Sequence, residues 1–290
     1  MGNNKVGIIG VGLMGHGIAY NIAKSGWPIS YLDHPGNQPT DDLDKLGALS
    51  CATGADIARD CDVVILCVTG TPQIEDVLTR SDGVLAGITD GTVVIDCSTA
   101  IPTSTIEIAL KVKAAGGVFL DAPMTRTPKE AAEGRLNLIV GGEEDLFKEH
   151  LPLLQAFAEN ITYAGAVGSG HTLKLIHNFV SLGFSAVLAE AATAAEKSGI
   201  DPSILLDVLE NGGGRGVILD RFRSYLLARD PEGFVFSLSN AAKDTGYYHS
   251  MVRELAVSEQ VASAVKGIYE GQVKAGEGNR YIPELISLLR

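Results

Sequence analysis

The stretch Val6-Gly7-Ile8-Ile9-Gly10-Val11-Gly12-Leu13-Met14-Gly15 constrains this chain more than any other. Its apolar start reads as a buried strand. The glycines that follow precede an amphipathic run, Ile18-Ala19 and Ile22-Ala23, which ends at Gly26. Gly10 allows a tight turn, Gly12 lets backbone approach a pyrophosphate, and Gly15 lets the helix pack closely on the strand. The helix start, with its free N–H groups and positive dipole end, then faces the phosphates. A second strand, Ile29-Ser30-Tyr31-Leu32, ends at Asp33, whose carboxylate is placed to hydrogen-bond the hydroxyls of an adenosine ribose. A lone glycine pattern is a weak signal, but one framed by strand, helix and a strand-terminal acid is strong. A 2′-phosphate at Asp33 would meet like charge, and His34-Pro35-Gly36-Asn37-Gln38 carries no Arg. NAD is therefore expected in preference to NADP.

The alternation of strand and helix continues. Leu49-Ser50-Cys51 reads as a short strand, followed by a helix entered at Thr53 and Asp56. Asp62-Val63-Val64-Ile65-Leu66-Cys67-Val68 is an apolar run of the kind found in central parallel strands. It ends at Val68 and Thr69, where ligands sit in open α/β sheets. Thr92-Val93-Val94-Ile95-Asp96 leads into Cys97-Ser98-Thr99, and Val118-Phe119-Leu120-Asp121 leads into Ala122-Pro123-Met124-Thr125-Arg126-Thr127. Leu136-Asn137-Leu138-Ile139-Val140-Gly141-Gly142 is the last strand expected. The pattern predicts an α/β domain over residues 1–165 with a doubly wound parallel sheet. The hydroxyls of Ser98, Thr99, Thr125 and Thr127 and the guanidinium of Arg126 then leave strand ends, where they can hold an anionic substrate group. Turn chemistry accounts for Ser98 and Thr99 almost as well, and a surface ion pair equally well for Arg126.

Residues 168–198 read as one long helix, free of proline and stopped by Gly199, with Ser169 or Thr172 available as a cap. Lys174 and Asn178 are four residues apart and share a face. An ammonium beside a carboxamide near a helix end can hold and protonate a carbonyl oxygen. Leu173, Leu175, Ile176, Phe179 and Val180 surround the pair, so the helix is expected to be buried on most faces and Lys174 to line an interior cleft. Beyond it the pattern is helical to the end. Segments begin at Pro202 and cover 204–209, 219–228, 237–257 and 258–275, with a glycine run at 212–216 that reads as a hinge, a loop bearing Arg215, or a plain connector. Residues 166–290 are thus expected to form an all-helical second domain.

A chain of 290 residues suffices for two such domains, and its formal charge of −12 argues against nucleic acid or an anionic membrane as partner. Cys51, Cys61, Cys67 and Cys97 show no metal-ligand spacing and read as small hydrophobes in a reducing compartment; no metal is expected. Met1-Gly2-Asn3-Asn4-Lys5 runs straight into a strand without a signal peptide, and the apolar stretch 173–189 carries Lys174, His177 and Asn178, so a cytoplasmic protein without a membrane span is expected.

Four ordered motifs then give the chain a family resemblance: the strand and glycine loop ending Leu13-Met14-Gly15; Asp96-Cys97-Ser98-Thr99-Ala100-Ile101-Pro102; Asp121-Ala122-Pro123-Met124; and Gly168-Ser169-Gly170-His171-Thr172-Leu173-Lys174-Leu175-Ile176-His177-Asn178. Together they resemble the β-hydroxyacid dehydrogenase family, which includes 3-hydroxyisobutyrate dehydrogenase and tartronate semialdehyde reductase. The resemblance implies reversible hydride transfer between NAD and a short β-hydroxy acid or its semialdehyde. It makes Lys174 the catalytic lysine, Asn178 its helper, and places Ser98 and Thr99 in the cofactor and substrate cleft. Lys243-Asp244 matches a pair near cofactor and substrate. Where the family has Ser-Gly-Gly as its substrate loop, this chain has Thr125-Arg126-Thr127, which resembles the branch that reduces sulfolactaldehyde. His177 stands where an asparagine is usual. A homodimer or homotetramer is implied. Imine-reducing relatives and catalytically silent scaffolds of this fold lose the lysine, which this chain keeps.

Overall fold

The glycine spacing and the apolar runs build the first elements as the sequence predicts. The computed structural model describes residues 4–290. Met1, Gly2 and Asn3, part of the stretch read as lacking a leader, lie outside them. The chain forms two units, one running to Lys174 and the other Leu175–Arg290. The boundary falls within the long helix.

In the first unit, β1 (Val6–Ile9), α1 (Gly15–Lys24), β2 (Ile29–Leu32), α2 (Asp41–Lys45), β3 (Leu49–Cys51), α3 (Gly54–Asp60), β4 (Val63–Leu66), α4 (Thr71–Thr79), β5 (Val93–Asp96), α5 (Pro102–Ala114) and β6 (Val118–Asp121) alternate strictly. They are followed by β7 (Met124–Thr125), α6 (Pro128–Ala132), β8 (Leu136–Gly141), α7 (Glu144–Leu154), β9 (Ala158–Gly165) and the start of α8 (Ser169–Lys197). The strand order is β3-β2-β1-β4-β5-β6-β8-β7, with β9 paired to β8. The path out from β1 therefore runs first to β2 and β3 and then to the other side at β4, so a topological switch point lies at the end of β1. Pairing is parallel from β3 through β6. The sheet is α/β and mostly parallel as expected, but β8 runs antiparallel to β6 and β7 and parallel to β9. The two-residue β7 folds back against β8, which reverses the direction of the sheet there. β9, which follows the strand read as the last, completes it.

Strands β1, β2, β4 and β5 are buried on both faces, and period-2 geometry divides their side chains between two cores. Val63 and Ile65 of β4 join Ile18, Ile22 and Leu43 on one side, while Val64 and Leu66 join Ile57, Ile74 and Ile108 on the other.

In the second unit, α8 continues into α9 (Pro202–Glu210), α10 (Val217–Ala228), α11 (Leu238–Glu254), α12 (Gln260–Lys274) and α13 (Leu285–Leu288). Its core gathers Leu182, Ala189, Phe222, Leu238 and Tyr269, and the Tyr269 hydroxyl donates to the Leu182 carbonyl at 2.8 Å. α8 stops where predicted: Gly199 takes φ +72°, its N–H bonds the Glu196 carbonyl, and Ile200 N–H bonds the Ala195 carbonyl, both at 3.0 Å. These two bonds form a Schellman motif, which satisfies the last carbonyls. Most of α8 is buried or half-buried, but one face is not: Leu173, Ile176, Val180 and Val187 form a stripe that is 40–64% exposed. Apolar composition marks how many faces seek burial, not which of them this chain covers. By length and hydropathy alone α8 would also pass for a membrane span, yet nearly half of its most apolar window is buried inside the protein.

Candidate active site

The carboxyl edge of the sheet gathers the residues singled out in the first unit. Gly10 follows β1 at φ +96°, and a Cβ there would run into the Cys67 carbonyl oxygen. A Cβ on Gly15 would strike the Gly10 carbonyl, so both glycines are required by close approach. At Gly12 a Cβ would meet no heavy atom within 4 Å. The N-cap of α1, Met14, has no side-chain cap bond, so no cap side chain competes with a phosphate there, although the His16 N–H is already bonded to the Gly12 carbonyl at 2.9 Å. Leu13 is exposed beside them. Asp33 follows β2, its N–H bonded to the Cys51 carbonyl and its side chain exposed. The open space at Gly12, the uncapped helix start and this strand-terminal acid fit the pyrophosphate and ribose of a dinucleotide.

Two strands further along the edge, Val68 N–H donates to Ser98 Oγ at 3.0 Å, tying the loop after β4 to the loop after β5. Thr69 is exposed, and Thr99 is half-buried. Ser98 N–H donates to Asp96 Oδ1 at 2.9 Å, so Ser98 is held by both its backbone and its hydroxyl. Burial pushes the Cys97 thiol well up and the Cys67 thiol up to about 12, which keeps both strand-end sulfurs protonated and poor nucleophiles.

The loop after β6 is engaged within the first unit. Thr125 Oγ1 accepts from Asn137 Nδ2 at 3.1 Å. Arg126 takes φ +84°, a strained conformation for any residue with a Cβ, and its Nη1 bonds both the Arg135 carbonyl and the Glu159 carboxylate. Thr127 caps α6: its N–H and hydroxyl donate to Glu130 Oε2 at 3.0 and 2.5 Å. The surface ion pair read as one alternative for Arg126 is thus present. Its partner, Glu159, lies on β9.

Sequence reading assigned the start of α8 to Ser169 or Thr172. The structure assigns it to Asp121 instead: Oδ1 accepts from Gly168 N–H at 2.7 Å and Oδ2 from His171 N–H at 2.9 Å, while the Thr172 hydroxyl donates back to the Gly168 carbonyl. A side chain at Gly170 would collide with the Ile139 carbonyl, so the glycine lets the first turn lie against β8. One turn on, Lys174 is buried, with 8% of its surface accessible.

In the second unit Asn178, also buried, donates from Nδ2 to Asp244 Oδ2 at 2.6 Å, and its Oδ1 lies 3.0 Å from His177 Nδ1. A carboxamide oxygen only accepts, so Nδ1 carries the proton. Lys243 Nζ lies 3.2 Å from Asp244 Oδ1. Asp244 thereby joins the expected helper Asn178 to Lys243. Asp244 was expected only as part of the Lys243-Asp244 pair, not as the partner of Asn178, and the roles of Asp121 and His171 were missed, although β5 and β6 both end in Asp.

Fold and strand edge together define an enzyme of the dinucleotide-dependent oxidoreductase class. Residues 5–165 match the family described as the NAD binding domain of 6-phosphogluconate dehydrogenase, and residues 168–289 the NAD-binding domain of NADP-dependent 3-hydroxyisobutyrate dehydrogenase. Escherichia coli 2-hydroxy-3-oxopropionate reductase is 34% identical over 217 residues, 74% of this chain and 73% of that one. Pseudomonas aeruginosa NAD-dependent L-serine dehydrogenase is 28% identical over 95% of this chain and 94% of its own length. A structure of Mycobacterium tuberculosis 3-hydroxyisobutyrate dehydrogenase with L-serine superposes with a TM-score of 0.88 at 25% identity, covering 99% of both chains. The chain belongs to the β-hydroxyacid dehydrogenase family, and it is an NAD(P)-dependent oxidoreductase.

Proposed function

We propose that the protein interconverts a short β-hydroxy acid and its semialdehyde, with NAD as the preferred cofactor and Lys174 as general acid and base. The observation that carries this reading is a lysine buried at the second turn of a helix whose first turn is anchored beside the Ser98 loop. The nicotinamide, when bound, supplies or accepts the hydride. In the reducing direction Lys174 gives its proton to the carbonyl oxygen, and in the oxidising direction its neutral amine takes the proton from the alcohol. Asn178, oriented by Asp244, hydrogen-bonds the same oxygen, and Ser98, Thr99 and Thr125 hold the acid group. Asp33 faces the ribose, which favours NAD; Lys243 closes the set of cofactor contacts. The exposed stripe on α8 supports a homodimer or homotetramer.

Arg126 Nη1 is taken by Glu159 and the Arg135 carbonyl, which leaves a sulfonate, as in a sulfolactaldehyde reductase, only the remaining N–H groups beside a carboxylate, so the carboxylate reading is preferred. The test is NADH oxidation with tartronate, methylmalonate, succinate and sulfolactaldehyde semialdehydes or aldehydes, repeated with NADPH. Lys174→Ala is expected to lower kcat by about 10²–10⁴-fold while NADH still binds. Unchanged turnover in that variant rules out Lys174, and silence of the native protein across the panel with NADH bound favours a non-catalytic scaffold.

A further inference from the structure

Asp96 and Asp121 end neighbouring parallel strands and stand in register, both buried to within 1% of full coverage. Like charges set side by side on a sheet repel, and buried carboxylates need a compensating cation. The group placed to supply one is His171, fully buried in the first turn of α8. Its Nε2 lies 3.9 Å from Asp96 Oδ2 and its Nδ1 3.8 Å from Asp121 Oδ2.

The hydrogen bonds around the ring define its protonation. Nε2 is 3.3 Å from the Ser98 carbonyl oxygen, which can only accept. Nδ1 is 2.9 Å from Thr105 Oγ1, and that hydroxyl already has an acceptor, the Ile101 carbonyl at 3.1 Å. With its proton on Ile101, Thr105 turns a lone pair toward Nδ1. The doubly protonated ring meets both contacts while Thr105 keeps its bond to Ile101, and it sets the positive charge between the two carboxylates. A neutral ring that holds the Ser98 carbonyl would require Thr105 to abandon the Ile101 carbonyl.

We infer that His171 is a buried imidazolium that acts as a positioning residue, locking the Ser98 loop to the first turn of the helix that carries Lys174. The lock has two arms. The ring N–H holds the Ser98 carbonyl, and the backbone N–H of the same residue holds Asp121. Burial pushes the Asp96 carboxyl above its ordinary value, and the positive ring and the Ser98 bonds pull against that rise. The lock deepens the proposed reaction and rests on that reading, since Ser98 and Lys174 are the substrate and proton-transfer residues it joins.

The protonation is tested on the native protein by long-range proton–nitrogen correlation with ¹⁵N-histidine labelling, the His171 signal being assigned by its loss in His171→Gln. Two protonated-type ring nitrogens at pH 7 are expected, and one bare nitrogen overturns the imidazolium. This readout needs no turnover, so it stands apart from any failure to find a substrate. Kinetics test the positioning. His171→Ala is expected to lower kcat on the order of 10- to 100-fold with NADH affinity within about twofold. His171→Gln, which can still donate to the Ser98 carbonyl, is expected to recover part of that loss. Equal kcat in native protein and His171→Ala, or NADH affinity falling in step with kcat, overturns the positioning role.

Discussion

Replacing Asp121 with Asn tests how the Lys174 helix is anchored. The substitution keeps the shape of the side chain but offers one acceptor where there were two. Gly168 N–H at 2.7 Å and His171 N–H at 2.9 Å both point at the native carboxylate. In Asp121→Asn one of them faces an NH₂ group, a donor set against a donor. A hydrogen bond to a charged group is worth about 1.5–3 kcal/mol, and a buried N–H left unpaired costs about 1–3 kcal/mol. The two figures overlap, and the surviving bond weakens to a neutral one, so a loss of about 3–4 kcal/mol is expected. At roughly 2–4 °C per kcal/mol for a domain of this size, the midpoint of thermal unfolding should fall by about 6–16 °C. Urea unfolding followed by far-UV circular dichroism should show a lower midpoint at unchanged slope. A loss below about 1 kcal/mol would mean that the two N–H groups find other acceptors, and the anchoring argument would be refuted.

Other outcomes follow from single features of the structure. Asp33→Ala is expected to raise the KM for NADH roughly tenfold or more, by loss of charge-assisted bonds to the ribose, while leaving NADPH use less affected; equal effects on both cofactors in steady-state kinetics would remove Asp33 from the ribose site. Burial pushes the Cys61 thiol up to about 11 and Cys97 well up, so at pH 8 both remain thiols and alkylate far more slowly than half-buried Cys51. Peptide mass spectrometry after brief iodoacetamide treatment checks this, and co-equal labelling of Cys61 in the native protein would contradict it. Val180 and Val187 are each 64% exposed, and light scattering should show an assembly of two or four chains that Val180→Glu with Val187→Glu converts to a smaller species. A native mass of one chain would leave the stripe without that partner.

Local signals carried much of this architecture. β1, the glycine loop, α1 and Asp33 were legible because each part of the motif acts on its immediate neighbours. The stop of α8 was legible for the same reason, since a glycine at φ +72° closes a helix through bonds no more than five residues long. β9 escaped because its burial is irregular, with alternate residues neither clearly inside nor outside. Missing β9 also hid Glu159, and with it the partner of Arg126. The reversal of β8 escaped because strand direction is set by pairing across the sheet and leaves no mark on the strand's own residues.

The division follows the range of the interactions. By itself the sequence determined what short-range sterics and periodicity dictate: a dinucleotide-type α/β unit, a helical remainder, and a lysine and an asparagine on one helical face. Tertiary structure alone decided what those groups are bound to. Asp121 caps a helix that starts 48 residues later, His171 reaches the Ser98 carbonyl across 73 residues, and Asn178 finds Asp244 across 66. Such bonds join residue types that are individually ordinary, and only burial makes each of them obligatory, because a polar group removed from water must find its partner wherever the fold has brought one.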